Sequence, residues 1–169
     1  TLEHGRAWAR TEDTPKTTVI RHTTNRGYGG NQKAAYRLAI GPRLDIVVLL
    51  HADGQYAPES LAEIVAPFSA SDCAAVFGSR MMEKGAAKNG GMPFYKRVGN
   101  KVLTRFENAV LGTDLTEFHS AYWAYRTSVL RQIPFAANRI GIVFGPHIIL
   151  QVRHAGRKGT QVYVRVTDG

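Results

Sequence analysis

The run Asp45–Leu50, DIVVLL, is unbroken apolar sequence after its opening aspartate. A stretch of that length without polar alternation predicts a strand covered on both faces, as in a parallel sheet. The chain turns polar at once, His51-Ala52-Asp53-Gly54-Gln55, so the strand ends in a loop. A second short apolar run, Cys73–Phe77, closes at Gly78-Ser79-Arg80. Between them Pro58–Phe68 reads as a helix with proline near its first turn. Upstream, the β-branched run Thr17–His22 reads as a strand, and Gln32–Ile40 as a helix stopped by Gly41-Pro42. Strands alternating with helices predict an α/β protein with a mainly parallel sheet flanked by helices.

The remaining elements follow by the same periodicities. Met81–Gly91 is glycine-rich and reads as a flexible loop, and Phe94–Leu111 as a long amphipathic helix bearing Lys96, Arg97, Lys101 and Arg105. Ser120–Tyr125 reads as a strand, Thr127–Gln132 as a short helix, Phe144–His154 as a helix and Gln161–Val166 as a last strand. Residues 1–16 are polar and aperiodic, an irregular segment before a single domain over 17–169.

Charge narrows the partners. The 169 residues carry 22 Lys plus Arg against 13 Asp plus Glu, a formal charge of +9, which favours anionic ligands or surfaces. Zinc-finger spacing, an RNP pattern and a helix-turn-helix are all missing, so nucleic acid is not an expected partner. Cys73 is the single cysteine, which fits a reducing compartment. No apolar run approaches the ~20 residues that span a bilayer. The expectation is a cytoplasmic domain, peripheral at the cytoplasmic face of a membrane, with the basic face of Phe94–Leu111 on anionic headgroups.

In open α/β sheets ligands bind beyond the carboxyl ends of the strands. Two loops fall there. Asn25–Asn31, NRGYGGN, leads into a helix. Gly29, Gly30 and Asn31 permit close backbone approach to a phosphate, with Lys33 as a nearby cation, or they form a tight packing turn. The spacing matches neither the GxxxxGK[ST] nor the GxGxxG phosphate loop. In the second loop, His51, Asp53 and Gln55 alternate to one side if extended and can present ligands to Mg²⁺ or Mn²⁺. Spacing alone favours Asp53 as a turn cap. Arg80, Lys96 and Arg97 offer an anion site or a solvated face. The six histidines show no zinc spacing, and His119 and His147 read as ordinary polar residues.

Four blocks in order carry a resemblance: NRGYGGNQKAAYRLAI, DIVVLLHADGQYAPESL, VFGSRM and GGMPFYKRVGNKVLTRFENAVLGTDLTEFHSAYWAY. Together they closely resemble family-two glycosyltransferases, and the branch that glycosylates dolichyl or polyprenyl phosphate in particular. The resemblance covers roughly residues 18–168. It implies a GT-A, Rossmann-like fold and metal-assisted, inverting transfer from a UDP- or GDP-sugar to a lipid phosphate. It implies that His51, Asp53 and Gln55 hold the cation, that Gly29, Gly30, Asn31, Lys33 and Asp53 line the donor pocket, and that Arg80, Arg97 and Asn100 grip the acceptor phosphate. An anionic acceptor needs no protein base; a hydroxyl acceptor would need one, with Asp114 or Glu117 the first to examine.

Departures from the family pattern stand beside it. The opening VVIPAYNE-like strand is absent, which implies a domain incomplete at its N-terminus. His51 replaces the first aspartate of the metal motif, Ala121 replaces a glycine and Trp123 an arginine, and the usual Phe-Asp pair is Phe144-Gly145. The changes at positions 51, 123 and 145 favour an alternative, a non-catalytic relative that binds nucleotide-sugar or a partner subunit.

Overall fold

The computed structural model describes residues 18–41, 44–51, 53–141 and 143–165, together with Glu3. The expected irregular segment over 1–16 lies outside the described residues apart from Glu3, as does the end of the last expected strand.

Four strands form one sheet, β1 (Ile46–Leu49), β2 (Ala75–Ser79), β3 (Trp123–Arg126) and β4 (Gly159–Tyr163), in the order β1-β3-β2-β4. β3 runs antiparallel to both β1 and β2, with Val48 opposite Ala124 and Val76 opposite Ala124. β2 and β4 are parallel, with Phe77 opposite Gln161. The sheet is therefore mixed: β1, β2 and β4 share one direction and β3 is reversed between β1 and β2. The α/β class stands, and the reversed strand qualifies the mainly parallel expectation.

Side-chain alternation explains the packing. Ala75, Phe77, Trp123 and Tyr125 point to one face and meet Tyr36, Leu130, Phe144 and Ile148. Val76, Tyr122 and Ala124 point to the other and meet Tyr56, Ile64, Phe68 and Val164. The first face is covered by α1 (Gly27–Ile40), α5 (Thr127–Leu130) and α6 (Phe144–His154), the second by α2 (Leu61–Ala70). A single 3₁₀ turn, Pro58–Ser60, leads into α2. β2 is buried throughout, whereas β1 is only half-buried because it lies at the sheet edge. The run DIVVLL thus forms a strand, but not one enclosed on every side.

Three expectations change. Residues 18–22 join no ladder; Val19 and Ile20 are exposed, and a β-branched run without a partner strand gains nothing from extending. The glycine segment is not a turn before a helix. α1 begins at Gly27, so Gly29 and Gly30 lie within its first turns. The loop Met81–Gly91 contains a one-turn helix, α3 (Ala86–Asn89).

The long helix α4 (Phe94–Leu111) packs in an unexpected sense. Its polar residues face the protein. Asn108 accepts hydrogen bonds from the Thr113 hydroxyl and the Leu115 N–H and donates to the Leu115 carbonyl, and the Thr104 hydroxyl donates to Asn100. Its apolar residues face outward, with Phe94 72% and Tyr95 71% exposed, and Val102, Phe106 and Val110 each 66%. The outward face is thus the apolar one, and Lys96, Lys101 and Arg105 border it at helical spacing. No helix among the described residues is long and apolar enough to cross a membrane.

Candidate functional site

A cavity of about 420 Å³ opens at the carboxyl end of β1, beside the start of the reversed strand β3. Its walls are largely aromatic, with Tyr28 from α1, His51 and Tyr56 from the loop after β1, and Phe118, His119 and Trp123 from the approach to β3. Ring edges lock these walls together: His51 meets Tyr28 at 5.6 Å and Tyr56 at 5.9 Å between centroids, both edge-on. The Ala121 N–H donates to the Tyr56 hydroxyl at 2.8 Å. Burial raises the Tyr56 phenol above its ordinary value despite that bond, and burial likewise raises Tyr28 against a hydrogen bond with Gln32. Both phenols stay neutral at physiological pH. Sequence reading missed most of this wall, because aromatic residues at strand ends are also ordinary core residues.

Of the expected metal ligands, His51 and Gln55 line the cavity. His51 Nδ1 lies 3.8 Å from Asp53 Oδ2, with Asp53 48% exposed. Asp53 Oδ1 accepts the Gln55 N–H at 3.0 Å, the turn-cap role that spacing alone favoured. The cap and ligand readings are therefore not exclusive, since the cap uses one carboxylate oxygen and leaves Oδ2 toward His51. Among the described residues no group of three or more His, Cys, Asp or Glu side chains gathers to hold a metal ion. One carboxylate, one imidazole and one amide fit a hard divalent cation only as a partial set, of the kind that substrate phosphates complete.

The glycine segment is built for packing. The Gly29 N–H donates to the Ile140 carbonyl at 2.8 Å, and a Cβ on Gly29 would lie 2.7 Å from that oxygen. A Cβ on Gly30 would lie 2.7 Å from Arg26 Cβ. Asn31 is exposed, with its side-chain oxygen 3.2 Å from His22 Nε2. Lys33 donates to the carbonyls of Ala136 (2.8 Å) and Asn138, and its ammonium lies 5.8 Å from the centroid of Phe144. Of the expected donor-pocket positions, none of Gly29, Gly30, Asn31 and Lys33 lines the cavity; their neighbour Tyr28 does.

Two of the three expected acceptor residues, Arg80 and Asn100, meet on Glu117, which is 1% exposed. Arg80 Nε donates to Glu117 Oε1 at 3.0 Å and the Arg80 N–H to Oε2 at 3.1 Å. Asn100 donates to the same Oε1 at 2.9 Å. Glu117 is thus a buried brace, not an exposed base. Asp114 is exposed and borders a separate hollow with Arg153. Arg97 lies 5.6 Å from the Phe94 ring, and its Nε is buried without a hydrogen bond among the described residues. One segment joins the two regions: Glu117 holds Arg80 and Asn100, and the next four residues, Phe118–Ala121, run along the cavity.

His119, read from sequence as an ordinary polar residue, pairs with a carboxylate. Its Nε2 lies 3.2 Å from Glu107 Oε2 on α4. Burial raises the Glu107 pKa, partly offset by His119. No local motif could have revealed this pair, because its members sit on separate elements.

Comparison with known proteins agrees with this architecture. The family described as glycosyl transferase family 2 matches residues 1–134. The chain is 30% identical over 132 residues to undecaprenyl-phosphate mannosyltransferase of Micrococcus luteus, covering 77% of this chain and 53% of that protein. It is 33% identical over 116 residues to UDP-N-acetylglucosamine–dolichyl-phosphate N-acetylglucosaminyltransferase of Methanococcus voltae, covering 69% and 45%. It is 27% identical over 125 residues to polyprenol monophosphomannose synthase of Mycolicibacterium smegmatis, covering 74% and 46%. The chain spans about half the length of the curated relatives it matches. With an α/β sheet of the expected kind and a family match over most of its length, the chain belongs to glycosyl transferase family 2.

Proposed function

We propose that the cavity beside His51 and Gln55 binds a nucleotide-diphosphate sugar, and that the domain transfers its sugar to the phosphate of a polyprenyl- or dolichyl-type lipid. The observation that carries this reading is the 117–121 segment, which ties Arg80 and Asn100 to an aromatic cavity at the carboxyl end of β1. The names of the relatives support the acceptor class.

In this reading the aromatic walls take the apolar face of a sugar or base and exclude water. Asp53, with His51 and Gln55, holds Mg²⁺ or Mn²⁺, which supplies positive charge against the diphosphate. The Gly29–Lys33 turn of α1 shapes the donor side by placing Tyr28. Arg80, Arg97 and Asn100 orient the acceptor phosphate, and the unpartnered Arg97 Nε gains an anionic acceptor. The acceptor oxygen is already anionic, so it attacks the anomeric carbon without a protein base and inverts it. Positioning and charge neutralisation supply the catalysis. The outward apolar face of α4, bordered by Lys96, Lys101 and Arg105, rests on an anionic membrane surface at the cytoplasmic side.

A panel of radiolabelled UDP- and GDP-sugars with polyprenyl phosphate and Mn²⁺ tests this directly. The reading predicts labelled lipid product from at least one donor. Nucleotide binding without product would favour the second reading, a non-catalytic relative. That reading draws on His51 beside Asp53, where the family pattern places a second carboxylate, and on the cap already made by Asp53.

A further inference from the structure

We propose that His119, oriented by Glu107, accepts a proton from a hydroxyl nucleophile, so that the cavity also transfers its sugar to a saccharide hydroxyl or to water. This rests on the reading that the cavity binds a nucleotide-sugar.

The geometry is that of an imidazole backed by a carboxylate. Glu107 Oε2 is buried, makes no hydrogen bond among the described residues and lies 3.2 Å from His119 Nε2 as an ion-pair contact, while His119 forms part of the cavity wall. A carboxylate close to one ring nitrogen favours the imidazolium that forms when the other nitrogen takes a proton. Nδ1 is the nitrogen that Glu107 does not engage.

Other groups near the wall are less suited to the task. Tyr28 and Tyr56 are phenols raised further by burial. His51 stands beside Asp53 in the diphosphate-facing loop. Glu117 is occupied by Arg80 and Asn100, and Asp114 borders another hollow. His119 combines a place on the wall with a carboxylate beside one ring nitrogen.

The step balances simply. The hydroxyl oxygen forms a bond to the anomeric carbon, its proton passes to His119, and the carbon–oxygen bond to the diphosphate breaks with its electron pair leaving on the nucleoside diphosphate. The products are a glycoside, or free sugar when water attacks, and the nucleoside diphosphate.

The test follows two products from one donor in the 169-residue chain, labelled polyprenyl-phosphate sugar and labelled octyl glycoside or free sugar. The donor is the one that supports lipid transfer. The ratio of hydroxyl to phosphate transfer should fall about 10²-fold in His119→Asn. In Glu107→Gln, where a positioning residue is altered, it should fall less, and the pH dependence of hydroxyl transfer should move. Thermal melts confirm that both variants fold, and His119→Gln provides a second variant if His119→Asn does not. Lipid transfer with no hydroxyl product, or with an unchanged ratio in both His119 variants, overturns this proposal and leaves the lipid-phosphate reading standing. If wild-type protein consumes no donor with any acceptor, both readings fall.

Discussion

The indole of Trp123 occupies the space that a side chain at position 145 would need. A Cβ on Gly145 would lie 1.8 Å from Trp123 Cη2 and 2.0 Å from Cζ3. The two departures from the family pattern that sequence showed at these positions are therefore one feature, a large ring on β3 seated on a bare backbone at the start of α6. Gly145→Ala should destabilise the fold by about 1–3 kcal/mol, the usual cost of overpacking. Trp123→Leu should recover part of that loss in the double variant. Urea denaturation of the four proteins checks it; a Gly145→Ala variant as stable as wild type would show that Trp123 repacks freely.

The exposed face of α4 gives a second prediction. Val102 and Phe106 are each 66% exposed, so Val102→Ser with Phe106→Ser should barely change the melting temperature. The same pair should sharply reduce flotation with vesicles rich in phosphatidylglycerol. Charge reversal at Lys101 and Arg105 should weaken flotation mainly at low salt. Retained flotation in the Ser pair would rule out the apolar face as the contact.

Glu107 makes stability depend on pH in a definite direction. Desolvation raises its pKa in the folded protein, with His119 opposing. Between the ordinary carboxylate value and the raised one, the folded state holds more protons than the unfolded chain, so stability falls as pH rises through that window. Glu107→Gln removes the penalty. Its melting temperature should exceed that of wild type at neutral pH. The gap should close in acid below the ordinary carboxylate range. A gap that widened in acid would contradict the account.

Glu117 is expected to be the most damaging of the acidic positions to truncate. It is buried, and it neutralises Arg80 while accepting from Asn100. Glu117→Ala removes a buried carboxylate that accepts from Arg80 and Asn100 and should cost about 2–4 kcal/mol. Equilibrium denaturation measures it, and a loss below about 1 kcal/mol would mean that water replaces the carboxylate.

The parts legible in sequence were those with local signals. DIVVLL and Cys73–Phe77 mark β1 and β2 because apolar runs of strand length have few other uses. The period of Phe94–Leu111 marks α4, yet periodicity says only that two faces differ and not which one the body covers. Here Asn100 and Asn108 find partners in the 113–117 loop, with Thr104 donating to Asn100, and turn the apolar side out. Thr17–His22 has strand composition, but a strand needs a neighbour, and residues 18–22 have none among the described residues. In the site, the His51–Asp53–Gln55 spacing was readable because those residues alternate within one loop. The Glu107–His119 pair and the seat of Trp123 on Gly145 depend on chain segments brought together only by the fold.

In the proposed reaction Asp53 helps the cavity engage a sugar diphosphate and release the nucleoside diphosphate. Initial rates of nucleoside diphosphate release should therefore be measured with polyprenyl phosphate and Mn²⁺ for wild type and Asp53→Ala. The account predicts release by wild type, suppressed by EDTA, and a loss of at least about 10²-fold in Asp53→Ala, in line with the removal of a main electrostatic contact to the leaving group. Equal rates for the two proteins would contradict it.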